Sequence, residues 1–551
     1  MKTLIYLFII VIVNITSFGQ TIEWAKRYDG PLHLQLADNP LKIACDNDGN
    51  VYVAGSVELT TLRSGYVTIK YNSTGDSVWV RTYFPNIPIN VHSGAYSVEV
   101  DNSGNVYVSG EMSFGPSELD VDILTLKYSP AGVLLWENIW GSNQQDIGRD
   151  LVLSSDGYVY VSGTAGNVLT SSMDAVVVKI NPTNGATIWA KQFTGGLGYT
   201  RNDPRYITAD DNTNVYVTGY ASLSNSIEDY LTAKISSTEF APPVWIKTYD
   251  AVGLNDVSNS IYISPSNNVY VTGSSQGSTS GDIATIKYNS SGVQQWVTRY
   301  ANGGGNSIKG DGQGNLYVGG VELGSTYVLK YDDSPNLIWG TSYYYRIKGA
   351  VVSMAIDNNN NIYAMGYCTP LGSSNSDFLI WSLEPNGIIR WGVQYDGPDG
   401  LNDGGIKGGI TGRKIILDAS NNVYVTGISN SLVGGEDFAT LKISQSGSQN
   451  SPLQNSSINN NQLPSKFSLL QNYPNPFNPT TTFTFALPFA GNTKLTVYDM
   501  LGSEIEVVVN EYKQAGTYTV NFDAAKYSSG VYFYTLTSGS FKDTKKMTLV
   551  K

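Results

Sequence analysis

Two histidines, His33 and His92, are the chain's whole supply of imidazole. Neither has a serine, cysteine or carboxylate at a spacing used by nucleophilic or metal chemistry, so both are read as polar loop residues. Cys45 and Cys368 lie in apolar, strand-like text far apart in the chain, and are read as small buried thiols rather than a bridge. The stretch Asp46-Asn47-Asp48-Gly49-Asn50 has the acidic look of a calcium loop. An EF-hand, however, needs Gly at its sixth position and Glu at its twelfth, where this chain has Val51 and Val57. Equivalent turns recur at Asp101, Asp210, Asp311, Asp357 and Asp418, which favours turn chemistry over a single ion site. Carboxylates spaced for acid–base work on a glycan depend on a distance that sequence does not contain. No catalytic, cofactor-binding or metal-binding residue is therefore assigned, and no cofactor is expected.

The elements around these residues repeat. Composition leans to β-structure, with 57 Gly and 38 Tyr among 551 residues. A strand of the form Asn-Val-Tyr-Val-x-Gly recurs at Asn50 to Gly55, Asn105 to Gly110, Asn214 to Gly219, Asn268 to Gly273 and Asn422 to Gly427, with looser copies at Tyr158 to Gly163, Asn315 to Gly320 and Asn361 to Gly366. The eight motif tyrosines (Tyr52, Tyr107, Tyr160, Tyr216, Tyr270, Tyr317, Tyr363, Tyr424) stand 46 to 61 residues apart, room for four short strands and their turns. An apolar strand ending in a turn precedes each tyrosine strand, and an aspartate opens that turn at the six positions named above. A strand such as Ile123-Leu124-Thr125-Leu126-Lys127-Tyr128 follows it, and then a strand carrying one tryptophan. Seven units have that tryptophan (Trp79, Trp136, Trp189, Trp245, Trp296, Trp339, Trp391) and the eighth lacks it. The segment Thr21 to Tyr28, with Trp24, supplies the missing strand from the other end. This offset predicts a closed ring of eight four-stranded blades, because the first strand completes the last blade and covers its edge. A seven-bladed ring with one degenerate unit is the alternative.

These units resemble the SBBP family of bacterial β-propeller repeats, whose pattern similarly runs from an Asp-x-x-Gly-Asn-Val-Tyr-Val-x-Gly hairpin to a Lys-Tyr strand and a tryptophan strand. The resemblance covers about residues 21 to 447. Its seventh unit departs, with Ser382 in place of the lysine and an added Trp381. It implies an architecture and no activity.

The two ends read as delivery signals. Lys2 followed by the apolar run Leu4 to Val13 and small Gly19 describes a secretory signal peptide over residues 1–19, too short to span a membrane. Residues 448–464 are a Ser/Asn/Gln-rich linker. Residues 465–551 show alternating strand-length segments that fit a small Ig-like β-sandwich. This stretch resembles the type A C-terminal sorting domain of the bacterial type IX secretion system, through Tyr473-Pro474-Asn475-Pro476-Phe477-Asn478-Pro479, Val497-Tyr498-Asp499-Met500-Leu501-Gly502, Gly530-Val531-Tyr532-Phe533-Tyr534 and Lys545-Lys546-Met547 to Lys551. That resemblance implies a type IX translocon as partner, and a secreted or outer-membrane-surface location in a Gram-negative bacterium. An ordinary Ig-like accessory module is the alternative.

The net charge of -12 and the lack of a Lys/Arg cluster speak against a nucleic-acid partner, and no transmembrane segment is expected in the mature chain. Segments that break the repeat, Pro85 to His92, Trp140 to Asp146, Tyr199 to Arg205, Tyr343 to Arg346 and Asp396 to Arg413, are the places to look for a ligand. The preferred function is a non-enzymatic binding or scaffold protein with a glycan or surface-protein ligand. The alternatives are an extracellular polysaccharide hydrolase or lyase working at the mouth of the ring, and a structural part of an envelope assembly.

Overall fold

An aspartate that folds its own turn opens the hairpin before the motif tyrosine in six of the eight repeat units, and Ser154 and Ser264 take its place in the third and fifth. Oδ1 of Asp46 accepts the N–H groups of Asp48 (3.0 Å) and Asn50 (2.9 Å), while Oδ2 accepts the Asn50 amide (2.8 Å) and the Tyr52 hydroxyl (2.9 Å). The same four bonds form at Asp101, Asp210, Asp357 and Asp418. Their carboxylate oxygens are thus occupied inside the turn, as the turn reading expects.

The computed structural model describes residues 21–443 and 468–551, apart from 31–37, 61–62, 85–92, 114–120, 143, 168–171, 224–226, 278–280, 323, 344–347, 370–375, 398–413, 431–434, 488–490, 514–515 and 539–540. Residues 1–19 and 448–464, read above as a signal peptide and a linker, lie outside them, as do His33 and His92. The chain divides into two units, Met1–Gly447 and Ser448–Lys551. Among the described residues there is no helix, and hence none long and apolar enough to cross a membrane.

The first unit is all-β and propeller-like, built among the described residues of eight four-stranded antiparallel sheets. Sheet 1 is the meander Asn39–Cys45, Val51–Thr60, Arg63–Tyr71 and Ser77–Tyr83. Sheets 2 to 7 repeat it at 94–140, 147–193, 199–249, 256–301, 303–342 and 348–395, with one parallel bridge, Met173 to Arg201, linking sheets 3 and 4. Sheet 8 takes Ile415–Leu417, Val423–Asn430 and Glu436–Ile443 from the end of the unit and Ile22–Tyr28 from its start, paired from Ile22 with Ile443 to Tyr28 with Phe438. The strand carrying Trp24 thus completes the last sheet.

Neighbouring sheets share apolar cores built from the repeat motifs. Tyr52 and Trp79 of sheet 1 pack with Val98, Val106 and Tyr128 of sheet 2, and Trp24, Tyr424 and Phe438 of sheet 8 pack in the same way with Ile43, Val51 and Tyr71 of sheet 1. The indole N–H of seven tryptophans, Trp24 among them, donates to a turn carbonyl of the following sheet at 2.9–3.2 Å. The turn that would face Trp391, at residues 444–447, lies outside the described residues. The motif lysine lies over the motif tyrosine, 4.9–5.8 Å from the ring centre, in seven sheets. Where sheet 7 has Ser382 instead, Arg390 reaches across from the next strand. It lies 5.8 Å from the Tyr363 ring centre and donates to Ser382 Oγ and the Tyr363 hydroxyl, each at 3.1 Å. The departure from the repeat is repaired by one residue.

The motif glycine answers to a β-bulge. The innermost strands of sheets 1 to 7 shift register at equivalent points, such as Pro40/Lys42, Ala95/Ser97 and Val351/Ser353, which drives a carbonyl oxygen toward the neighbouring strand. A Cβ on Gly55, Gly110, Gly219, Gly273, Gly320 or Gly366 would collide with that oxygen.

In the second unit, a three-stranded and a four-stranded sheet enclose one core that includes Phe483, Phe485, Phe522, Leu495, Tyr534 and Met547. The Tyr-Pro-Asn-Pro-Phe-Asn-Pro segment is fastened to the last strand. The Phe477 N–H donates to Thr548 O at 3.0 Å, and the Phe477 carbonyl accepts from Val550 at 2.9 Å. The backbone N–H of buried Asn472 donates to the Tyr534 hydroxyl at 2.7 Å.

Gly366→Ala is expected to cost about 1–3 kcal/mol through overpacking against the Ala350 carbonyl, read by chemical denaturation. Trp24→Ala is expected to cost about 3–5 kcal/mol, as Trp136→Ala does, since both fill equivalent sites. A negligible loss for Trp24 alone would mean that the first strand is an ornament on the sheet.

Candidate functional site

Of the five repeat-breaking segments, Trp140 to Asp146 runs from the last strand of sheet 2 to the first of sheet 3. Residues 85–92, 344–346 and 398–413 of them lie outside the described residues. Tyr199 to Arg205 is not a loop. It belongs to the long innermost strand Tyr199–Ala209, whose two register shifts absorb the extra residues. Its Asp203 is fully buried and takes a two-pronged pair from Arg149 of sheet 3, Nε to Oδ1 and NH2 to Oδ2, both at 2.9 Å. Burial would raise the Asp203 carboxyl, but Arg149, Arg205 and Arg201 hold it below the usual carboxylate range. These charges bind the sheets to one another and leave little for a ligand.

A concavity of about 600 Å³ lies along the innermost strands. Ten residues before each motif tyrosine, the innermost strands of sheets 1 to 8 place Lys42, Ser97, Asp150, Tyr206, Ser260, Ser307, Ser353 and Lys414 at equivalent positions. The serines and the aspartate mostly serve the scaffold. Each accepts a backbone N–H from the following sheet: Ser97 from Leu151 (3.1 Å), Asp150 from Ile207 (3.3 Å), Ser260 from Ile308 (3.1 Å), Ser307 from Met354 (3.2 Å) and Ser353 from Ile415 (3.4 Å). An ammonium group accepts nothing, so Lys42 and Lys414 depart from this pattern. Two residues further along, Glu99 and Lys309 also line the cavity.

The charges inside are unevenly matched. Lys42 forms an ion pair with Asp150, donates to Ser97 Oγ at 2.9 Å and lies 3.5 Å from Glu99. Burial alone would lower the Lys42 ammonium, but Asp150 and Glu99 outweigh it and raise it. Lys309 is exposed to solvent, yet the protein packed around it and the Lys42 charge lower its ammonium, with Glu99 opposing. Lys414 is held down to about 8 by burial, with Lys42 and Lys309 adding to the effect and Asp150 and Glu99 opposing it. A protein of net charge -12 therefore concentrates three lysines against two carboxylates in one cavity. Such an arrangement can hold an anionic group.

The thiols offer no nucleophile. Cys45 and Cys368 are free, and burial pushes each up to about 12.

Residues 471–550 match the family described as the secretion system C-terminal sorting domain. The second unit carries a secretion sorting domain. This sorting domain indicates export by the type IX secretion system, to the outside or to the outer-membrane surface. No curated protein sequence matches the chain. Solved structures similar to it include PorZ, described as an essential bacterial surface component of the type-IX secretion system of Porphyromonas gingivalis, at 12% identity and a TM-score of 0.28 over 93% of this chain and 81% of that one. The β-propeller domain of the Trilobed protease from Pyrococcus furiosus follows at 9% identity and a TM-score of 0.35, over 64% and 98%. Polysaccharide lyase Uly1 follows at 10% and 0.42, over 77% and 99%.

The Lys42–Asp150 pair gives a test of role. Lys42→Met leaves a buried carboxylate without its partner and is expected to cost about 3–5 kcal/mol at neutral pH, with Lys42→Met/Asp150→Asn recovering most of it in denaturant titrations. Lys414→Met is expected to cost far less, because its burial already disfavours the charge.

Proposed function

We propose that this chain is an exported, non-enzymatic binding protein of the bacterial cell surface or medium, and that its ligand presents an anionic group to the cavity of the first unit. In this reading residues 1–19 are a cleaved signal peptide. Residues 20–447 form a closed ring of eight SBBP-like blades, residues 448–464 are a linker, and residues 465–551 are an Ig-like sandwich read by the translocon. The pairing of Ile22–Tyr28 with Glu436–Ile443 and the Trp24 bond to Ser73 support closure.

The observation that carries the ligand class is the placement of Lys414 and Lys309 in the cavity, away from the inter-sheet bonds made by the serines at the ring positions. A glycan bearing carboxylates or sulfates, or an acidic surface protein, fits that chemistry. The hydrolase or lyase reading needs an off-repeat group of carboxylates in one cleft. The carboxyls raised by burial at Asp38, Asp229 and Asp256 instead sit at sheet junctions, in phase with the repeat. They support binding over catalysis.

Removing residues 465–551 is expected to abolish delivery to the surface or medium while the truncated chain accumulates inside the cell envelope, followed by immunoblotting of fractions. With the purified protein, calorimetry is expected to show oligogalacturonate binding and no binding of a neutral glucan. Affinity is expected to fall as pH rises from 7 to 9, because Lys414, held down to about 8, loses its positive charge over that range. Lys414→Met is expected to weaken binding about tenfold, the worth of roughly 1.4 kcal/mol, and to flatten the pH dependence. Equal binding of neutral and anionic glycans would sink the assignment.

A further inference from the structure

Three aspartates converge where sheet 4 meets sheet 5. Asp229 stands on the third strand of sheet 4 (Glu228–Ile235), Asp250 follows its outer strand (Trp245–Tyr249), and Asp256 opens the innermost strand of sheet 5 (Asp256–Ile263). One side-chain oxygen from each lies within 4.8 Å of the others. Asp229 is 2% exposed and Asp256 0%, whereas Asp250 faces solvent.

Their hydrogen bonds use only part of this oxygen set. Oδ2 of Asp229 accepts from the Tyr199 hydroxyl, Oδ2 of Asp256 from the Ala251 N–H at 2.8 Å, and Oδ1 of Asp250 from the Gly253 N–H. Oδ1 of Asp229 and Oδ1 of Asp256 are buried with no hydrogen-bond partner. Unpartnered carboxylate oxygens on two buried side chains of one cluster are costly unless a cation or proton compensates them. Burial raises both carboxyls and the Asp250 charge adds to it. Tyr199 offsets part of this at Asp229, and Ser275 and Arg299 at Asp256. Arg299 is itself engaged with Asp282 at 3.0 Å.

The repeat supplies an internal comparison. Where sheet 8 meets sheet 1, Asp437, Asp29 and Asp38 form the same triad. There Arg27 pairs with Asp437 at 2.7 Å, and Asp38 accepts the N–H groups of Gly30 and Glu58. In strand register, Arg27 opposes Ala439 three places after Trp24, and Thr248 opposes Leu231 three places after Trp245. The junction of sheets 4 and 5 therefore keeps the three carboxylates and has threonine where the other has its neutralising arginine.

The geometry points to a Ca²⁺ site formed by Asp229, Asp250 and Asp256. The donors are all oxygen, which suits a hard cation, and three oxygens within 4.8 Å of one another are close enough to share one Ca²⁺ with bonds of roughly 2.4 Å. The exposed side at Asp250 leaves room for water to complete the shell. The ion ties the end of one sheet to the start of the next, whereas at the other junction Arg27 neutralises Asp437 from within sheet 8.

The test uses the full chain, freed of metal with a chelator and titrated with CaCl₂ by calorimetry and thermal unfolding. One stoichiometric site and a rise of several degrees in Tm are expected, with a smaller rise from the same concentration of MgCl₂. Asp256→Asn is expected to weaken Ca²⁺ binding at least tenfold while raising the Tm of the chelated protein, since it removes a buried charge. Asp250→Asn, at an exposed position that does not threaten folding, is expected to weaken binding in the same direction. Asp29→Asn at the other junction is expected to leave the Ca²⁺ response intact. Absence of a Ca²⁺ response at millimolar concentration, an equal response to Mg²⁺, a full response in both Asp256→Asn and Asp250→Asn, or loss of response in Asp29→Asn would each overturn the assignment.

Discussion

The contact on which the first unit depends is the outer-strand tryptophan lodged beneath a turn of the sheet that follows, made by seven tryptophans among the described residues. A four-stranded meander has two faces, and neither is buried by the sheet itself. The indole covers the motif tyrosine of its own sheet, reaches the next sheet with its N–H, and sits against a turn glycine whose added Cβ would strike the ring, as Gly75 does on Trp24 and Gly132 on Trp79. Apolar burial and one directed hydrogen bond thus set the position of each sheet relative to its neighbour. Lysine over tyrosine and aspartate under tyrosine then fix the ring that the indole rests on.

Repetition of this contact explains why the interesting chemistry collects at departures from it. A position repeated eight times is held by packing at most of its copies, so a residue that cannot make the shared bond stands out. Lys42 and Lys414 are such residues at the innermost position. Arg390 shows the converse: the repeat loses its lysine at Ser382 and another strand restores the cation over Tyr363. Departures that are repaired maintain the scaffold, and those left open offer room for a ligand.

Much of the fold was legible because it rests on short-range chemistry. The Asp turns, the tyrosine strand, the tryptophan strand and the offset of Trp24 are all local patterns, and the strand pairing follows them. Part of the site was legible as well, since counting ten residues back from each motif tyrosine yields Lys, Ser, Asp, Tyr, Ser, Ser, Ser and Lys in turn. What periodicity hid was meaning: an alternating strand shows which residues share a face, but not that this face borders a cavity. Tyr199 to Arg205 breaks the repeat without forming a loop, because bulges accommodate extra residues without ending a strand.

The sequence by itself determined the repeat, its β character, the pairing of its two ends and the sorting tail, since each is written in motifs a few residues long. Only the tertiary structure decided why the motif ends in glycine, through a carbonyl pushed out by a bulge on another strand. It alone brought Asp229, Asp250 and Asp256 to one point and set Lys42 on Asp150, 108 residues away. Those facts depend on how sheets stack, and stacking brings together residues whose separation along the chain carries no local signal.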